Sequence, residues 1–368
     1  CQNIVSADNM PFKPALGPSY DSGNFAKNQE IALEKSNAND IEVRREAAKA
    51  RGKLLGFGIG NNVESAAPPG QEWAKIKILE DGSAALFAGS TDQGQGHATM
   101  YTQIISERLG LTPQQVQIVE GDTQTLDAGF GAGGSKVSGL GGSAVFETAR
   151  LVLEKGKEIA AQHFEVAAID IEYKDQTFSV AGTDRIISLS EVAKIATAKH
   201  NDGLLVVGTY ETDAATFPSG CHTCELEVDP DTGKVDIKRY VAVTDVGNTI
   251  NPTQVEGQVR GGIVQALGQV FLEEINYDPT SGQLLSGSYM DYAMPKAEDI
   301  CFIETYDNPS ITNVNPLGVK GAGEIGTGCA VATFVNALVD ALSPMNIHHI
   351  DTPATAETIW QAIQASKE

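Results

Sequence analysis

The stretch Asn315-Pro316-Leu317-Gly318-Val319-Lys320-Gly321-Ala322-Gly323-Glu324-Ile325-Gly326-Thr327-Gly328 sets one carboxylate, Glu324, in a loop with almost no other side chains. Apolar residues follow at helical spacing: Val331, Phe334, Val335, Leu338, Ala341 and Leu342. The loop therefore opens a buried helix, and its bare N–H groups face whatever sits at the helix N-terminus. Glycine lets a large ligand approach the backbone, and a carboxylate there meets that ligand at contact distance, as a general base must. The same letters satisfy the dinucleotide pattern GxGxxG at Gly321, Gly323 and Gly326, with Asp351 downstream. That match reads as accidental. Residues 311–317 hold Asn313, Asn315 and Pro316, a poor central strand, and a Glu inside the turn opposes a pyrophosphate. A solvated Glu in a structural turn is the remaining alternative.

Three further glycine loops run into apolar helices. Gly94-Gln95-Gly96-His97-Ala98-Thr99 precedes a helix whose inner face is Tyr101, Ile104, Ile105 and Leu109. Gly129-x-Gly131-x-Gly133-Gly134-Ser135-Lys136 leads into a helix over residues 143–168, with Lys136 as a fixed point charge suited to phosphate, or else a stray Lys on a flexible loop. Glu256-Gly257-Gln258 opens the next helix, where Gln258 and Gln265 are either ligand-facing or satisfied core amides. Four such helix starts suit one long ligand with several anionic or polar parts.

With 368 residues, 38 of them glycine, and a formal net charge of −22, the chain can bury a large core and is a poor partner for nucleic acid or an anionic membrane. No apolar run reads as a bilayer span, because Asn336 and Asp340 interrupt the best candidate, residues 329–342. The cysteines are Cys1, Cys221, Cys224, Cys301 and Cys329. Cys221 and Cys224 sit three apart in a strand pattern that turns them to opposite faces, so they read as structural thiols rather than ligands of an iron–sulfur cluster. Sparse, unpaired cysteines fit a reducing compartment and predict a cytoplasmic protein. The chain reads as one piece of something longer.

The patterning predicts an α+β fold of mixed sheets with packed helices. Residues 29–54 read as one charged amphipathic helix without a core of its own, which must pack on a neighbour. Hairpins are expected around Asp81-Gly82 and around Pro230–Gly233, with strands at 116–119, 286–292 and 301–306 and a hairpin plus helix over 170–195.

Taken together, these motifs resemble the molybdenum-binding subunit of the molybdenum hydroxylases, the xanthine dehydrogenase and aldehyde oxidase family, and within it the aerobic carbon monoxide dehydrogenase type of large subunit. The resemblance rests on Gly94–Thr99, Gly121-Asp122-Thr123 with the glycine-rich loop after it, the run from Gly220 to Asp229, Asp245-Val246-Gly247-Asn248, Glu256-Gly257-Gln258 and the run from Gly318 to Glu324. It covers the C-terminal half of the usual subunit. Relatives often show Gly-Ser-Arg-Ser where this chain has Gly134-Ser135-Lys136-Val137, and Glu at the position of Ala98.

By resemblance, Glu324 is the general base in hydroxylation of an electron-poor C–H carbon with water-derived oxygen. The cofactor is molybdopterin with molybdenum, in its cytosine dinucleotide form, held by Gln95, Gly96, His97, Thr99, Gly134, Ser135, Lys136, Gln258, Lys320, Gly321 and Gly323, and no protein residue ligates the metal. The resemblance divides the chain into a tail or packing arm (1–55) and two molybdopterin-binding subdomains (56–215 and 216–368). It implies a partner supplying the other half of the cofactor site, an Fe–S small subunit, an FAD medium subunit and a small-molecule substrate. A non-catalytic dinucleotide-binding or assembly module and a NAD-dependent dehydrogenase are the rival readings.

Overall fold

The structure is a computed structural model that describes residues 3–199 and 202–367; Cys1 lies outside the described residues. In chain order its first half comprises α1 (Phe25–Lys35), α2 (Ile41–Ala50), β1 (Leu54–Val63), β2 (Gly70–Ile78), β3 (Ala84–Ala88), α3 (His97–Leu109), β4 (Val116–Val119) and α4 (Gly142–Phe164). The second half comprises β5 (Ile171–Lys174), β6 (Thr177–Val180), β7 (Ile186–Ser188), α5 (Leu189–Lys199), β8 (Leu204–Thr212), β9 (Ser219–Val228), β10 (Val235–Asp245), α6 (Pro252–Phe271), β11 (Ile303–Asp307), α7 (Ile325–Leu342) and α8 (Ala356–Ala365).

Two mixed sheets dominate. One has the order β4-β3-β2-β8 and packs a face against α3, α4 and α5. The other has the order β1-β9-β10-β11 and packs against α6, α7 and α8. In each, one edge pair is parallel (β3 with β4, β10 with β11) and the other pairs are antiparallel. A small antiparallel sheet, β5-β6-β7, flanks α4. The α+β class with mixed sheets follows the expectation, and both predicted hairpins form. At the first, Asp81 Oδ1 accepts the Ser83 N–H at 2.9 Å, while Gly82 adopts φ +88°, where a side chain would be strained.

Four expectations are corrected. The predicted helix 29–54 breaks at Asn37, which adopts a left-handed φ of +50° that Asn tolerates, and the chain re-enters as α2. Residues 54–63 are not a helix end but β1, hidden from a period-2 reading because Gly56, Gly58 and Gly60 occupy alternate positions. Residues 286–292 form turns and bends rather than a strand, and β8 was not anticipated. The segment Ile325–Met345 is long and apolar enough, by length and composition, to cross a membrane; here its helix is a core element with Ile325, Phe334, Leu338 and Leu342 buried.

The N-terminal arm packs on this chain's own second sheet. Ala32 of α1 joins Cys221, Val241 and Val243 in a small cluster, and Arg44 and Lys53 reach Glu225 and Asp229 at 2.7 and 2.6 Å, with Arg51 on Glu227 between them. Glu225 and Glu227 are alternate residues of β9 and Asp229 follows at its end in the same alternation, so one face takes a row of cations. Covered on both sides, β9 is buried along its whole length. Cys221 and Cys224 do point into different clusters, on opposite faces. The boundary drawn at residue 56 falls inside β1, which pairs with β9; the ranges 56–215 and 216–368 therefore share a sheet.

The alternate glycines of β1 explain how α7 sits. A Cβ on Gly56 would lie 2.0 Å from the Ala337 carbonyl oxygen, and one on Gly58 would lie 2.2 Å from that of Thr333. These neighbours are helix backbone and cannot swing aside. Gly58→Ala is therefore expected to destabilise the fold by about 3 kcal/mol in urea unfolding. Gly257→Ala, on an open face of α6, is expected to be neutral or to stabilise by about 0.5–1 kcal/mol.

Candidate functional site

Three of the four predicted glycine loops converge, together with α6, on one cavity of about 580 Å³. The fourth, expected from Glu256 to Gly262, is no loop but lies inside α6, which begins at Pro252 behind the Asn251 cap. The cavity wall includes Gly94, Gln95, Gly96 and His97 from the loop before α3, Gly133, Gly134, Ser135 and Lys136 from the loop before α4, Gln254 and Gln258 from α6, and Gly323 and Glu324 from the loop before α7. Glu324 is the N-cap residue of α7, yet its side chain does not cap the helix. It stays exposed toward the cavity, and the Ser135 hydroxyl donates to its Oε2 at 2.7 Å.

Backbone closure positions Glu324. Asn315 ties the loop's base to Val319 through both amide atoms, at 2.8 and 3.1 Å. Lys320 N–H donates to Val246 O at 2.8 Å and Asn248 N–H donates to Gly318 O at 2.8 Å, docking the loop on the end of β10. A Cβ on Gly321 would lie 2.4 Å from Ser135 O, and one on Gly96 would lie 2.3 Å from Gln254 Nε2. Gly321 serves loop-to-loop contact and Gly96 contact with α6, whereas Gly94 and Gly133 have nothing within 4 Å and leave the cavity open to a ligand.

The structure sorts the predicted residues. Gln95, Gly96, His97, Gly134, Ser135, Lys136, Gln258, Lys320, Gly323 and Glu324 all border the cavity; Thr99 is exposed elsewhere on α3, and Gly321 lies behind the wall against Ser135. Gln258 is half-buried and, among the described residues, has no hydrogen-bond partner, which favours the ligand-facing reading over the core-amide one. Gln265 instead accepts from Thr327 on the neighbouring helix at 3.3 Å. Lys136 is not a free charge: its ammonium donates to Phe130 O at 3.1 Å and lies 3.8 Å from the buried Glu72.

Several residues that shape the site carry no motif by which the sequence alone could single them out. Asp92 accepts N–H bonds from Gly94, Gly96 and His97 at 2.8, 3.3 and 3.0 Å; burial alone raises a carboxyl, but these bonds prevail and hold Asp92 below its usual range. His97 Nδ1 pairs with Glu120 at 3.1 Å, and Glu120 in turn is held by Ser90. Asp92, His97 and Glu120 lie close enough to be metal ligands, but these partners account for them as a network that fixes the loop. Glu64, just past β1, accepts from Ser135 at 3.4 Å. Burial, with the hydrogen bond and charge of Glu324, pushes the Glu64 carboxyl up to about 7. No strand runs directly into Gly321–Gly326, since β11 ends at Asp307 and irregular backbone follows, so the dinucleotide reading of that pattern falls.

A cavity of this size, with two open glycines, an unpartnered amide and the start of α7 on its wall, fits a large polar organic cofactor. Residues 31–301 match the molybdopterin cofactor-binding domain. The chain belongs to that family, in its molybdenum hydroxylase large-subunit type. It is 32% identical to the carbon monoxide dehydrogenase large chain of Afipia carboxidovorans, over 98% of this chain and 47% of that one. It is likewise 32% identical to subunit gamma of the 6-hydroxypseudooxynicotine dehydrogenase complex of Paenarthrobacter nicotinovorans, over 99% of this chain and 47% of the relative. Among solved structures, quinoline 2-oxidoreductase from Pseudomonas putida superposes with a TM-score of 0.90 at 31% identity, over 99% of this chain and 48% of that one. A Cu,Mo-CO dehydrogenase gives 0.89 at 31% identity, over 100% and 49%. The chain thus spans about half the length of the relatives it matches.

Lys320, predicted to hold cofactor, has its ammonium fully buried 2.8 Å from Asp245, so only the rest of the residue meets the cavity. Asp245 also accepts the N–H groups of Gly247 and Ser310, each at 2.9 Å. Removing the cation leaves a buried carboxylate uncompensated. Lys320→Met is expected to cost about 3–5 kcal/mol in urea unfolding, and adding Asp245→Asn should restore part of it. A Lys320→Met protein of unchanged stability that lost only cofactor would return Lys320 to a ligand-binding role.

Proposed function

We propose that this chain is the part of a molybdenum hydroxylase catalytic subunit that carries the general base and one wall of the molybdopterin site. The observation that carries the reading is Glu324, projecting into the cavity where three glycine loops and α6 meet. Gln95, Gly134, Ser135 and Gln258 would hold the pterin and its nucleotide tail, taken here as the cytosine dinucleotide. When bound, the molybdenum centre supplies the two-electron redox chemistry that places a water-derived oxygen on carbon. Glu324 takes up the proton released in that step at its carboxylate, while Ser135 fixes the orientation of one carboxylate oxygen. With ligand and the opposite wall in place, water would be excluded around the carboxylate and its interaction with developing charge less screened.

The substrate class is a small molecule with an oxidisable C–H carbon, an aldehyde or N-heterocycle, or carbon monoxide. The named relatives act on nicotine derivatives, quinoline and carbon monoxide, which supports that range. Electrons leave through Fe–S and FAD centres on partner subunits. A further partner supplies the opposite wall of the site. In support, the irregular segment between α6 and β11 exposes Ile275, Tyr277, Leu285, Tyr289, Met290 and Phe302, the last three at 86, 92 and 73%. So much apolar surface on one segment marks a covered face rather than a solvated one. The described cysteines, all unpaired, support a cytoplasmic setting.

Glu324→Gln is nearly isosteric and accepts no proton. In the assembled complex, turnover is expected to fall by at least about 10²-fold at full molybdenum occupancy, and activity near wild type would overturn the assignment. The chain purified alone is expected to retain no stoichiometric molybdenum and to reduce no dye, with both gained on co-expression of the missing half. Retention by the lone chain would show that one wall suffices, whereas a fully assembled complex that binds pterin nucleotide but no molybdenum would favour the assembly-module reading.

A further inference from the structure

We propose that Glu64 is the proton-bearing partner of Glu324, a second carboxyl coupled to it through the Ser135 hydroxyl that positions the base and sets its working pH range. The proposal rests on the reading of Glu324 as base and adds a residue to it. Three observations carry it. The Glu64 and Glu324 carboxyls flank one hydroxyl, close enough for Glu324 to raise the Glu64 carboxyl, although two ionised carboxylates side by side repel. Glu64 Oε2 is buried and has no donor among the described residues. The Ser135 hydroxyl lies between the two, 2.7 Å from Glu324 Oε2 and 3.4 Å from Glu64 Oε1.

One proton resolves all three. A protonated Glu64 becomes a donor, its buried oxygen is no longer an orphan, and like charges no longer face each other. Ser135 sits closer to Glu324 and so stabilises negative charge there, which leaves the proton on Glu64. The groups that act on Glu64 are Glu324, from the loop before α7, and Ser135, from the loop before α4. The nearby cation Lys136 is directed to Glu72 instead. Burial and the Glu324 carboxylate push Glu64 up to about 7, so the proton stays on below that pH and is lost above it. In the protonated pair, the Glu324 carboxylate is held from two sides. In the dianion it is repelled by Glu64 and loses its fixed orientation, so turnover should decline on the alkaline side.

The fold explains why the pair forms. Glu64 leaves β1 immediately after the glycines on which α7 rests, and Glu324 opens α7. Strand end and helix start are therefore set side by side by the same packing.

The test uses the assembled complex and two readouts. Infrared difference spectra of wild type against Glu64→Gln are expected to show a protonated-carboxyl band that disappears with an apparent pKa near the value of about 7 given for Glu64. The band should be absent in Glu64→Gln and titrate at lower pH in Glu324→Gln, where the neighbouring charge is gone. In kinetics, Glu64→Gln donates a hydrogen bond at every pH and should lose the alkaline decline of kcat. It should also retain at least about tenfold more kcat than Glu64→Ala, with KM little changed in either. Absence of the band, its persistence in Glu64→Gln, or equal kcat losses in the Gln and Ala variants would overturn the proposal. The infrared readout is independent of turnover: if Glu324→Gln proves active while the Glu64 band titrates as expected, the pair stands and the base assignment alone falls.

Discussion

Close backbone contact around α7 is the constraint on which the rest of the site depends. On one side the helix lies against the glycines of β1; on the other, Gly326 faces Val259 and Gly262 faces Thr327 across α6 at distances that exclude any Cβ. Elements in such contact have no side-chain slack to absorb displacement, so the helix start is fixed in space to within small tolerances. Glu324 inherits that position as the N-cap residue. A carboxylate on a rigid helix start keeps its geometry better than one on a free loop, which is the condition the proposed role as base requires.

The cations of the site are used inward. Lys320 is buried on Asp245, and Lys136 is held by its own loop and Glu72, so neither projects as an isolated point charge into the cavity. What the wall offers instead is backbone, the Gln258 amide, the Ser135 hydroxyl and a carboxylate. In a chain of net charge −22, such a wall binds by shape and by neutral hydrogen bonds more than by long-range attraction. The buried ion pair fits this picture as a register device: it fixes where the loop docks on the end of β10 and so where its far end, Glu324, arrives.

The N-terminal arm and the exposed apolar segment after α6 present opposite cases of one rule. The arm lacks a core of its own but carries cations at the spacing that meets Glu225, Glu227 and Asp229, so it is satisfied within the chain. The segment around Tyr289 and Met290 carries apolar surface with no such counterpart in the chain. A polypeptide that matches about half of its relatives' length is expected to show both kinds of surface.

By itself, the sequence determined the element types with strong periodicity, both hairpins, three of the four glycine loops and the singular carboxylate, because these follow from local rules of side-chain period, turn chemistry and helix capping; the glycines at 257, 261 and 262 instead lie inside α6. It also determined the family, through motifs whose joint spacing few folds share. Only the tertiary structure decided what depends on partners distant in sequence. β1 stayed hidden because its alternate glycines serve α7, nearly three hundred residues away, rather than any local pattern. Lys320 and Lys136 looked alike as loop cations until burial and their acid partners separated them from Gln258, whose amide is left to the cavity. Glu64 carried no motif at all; its meaning arises from contact with a carboxylate at the other end of the chain, and a pairwise electrostatic relation of that kind has no signature in either local segment.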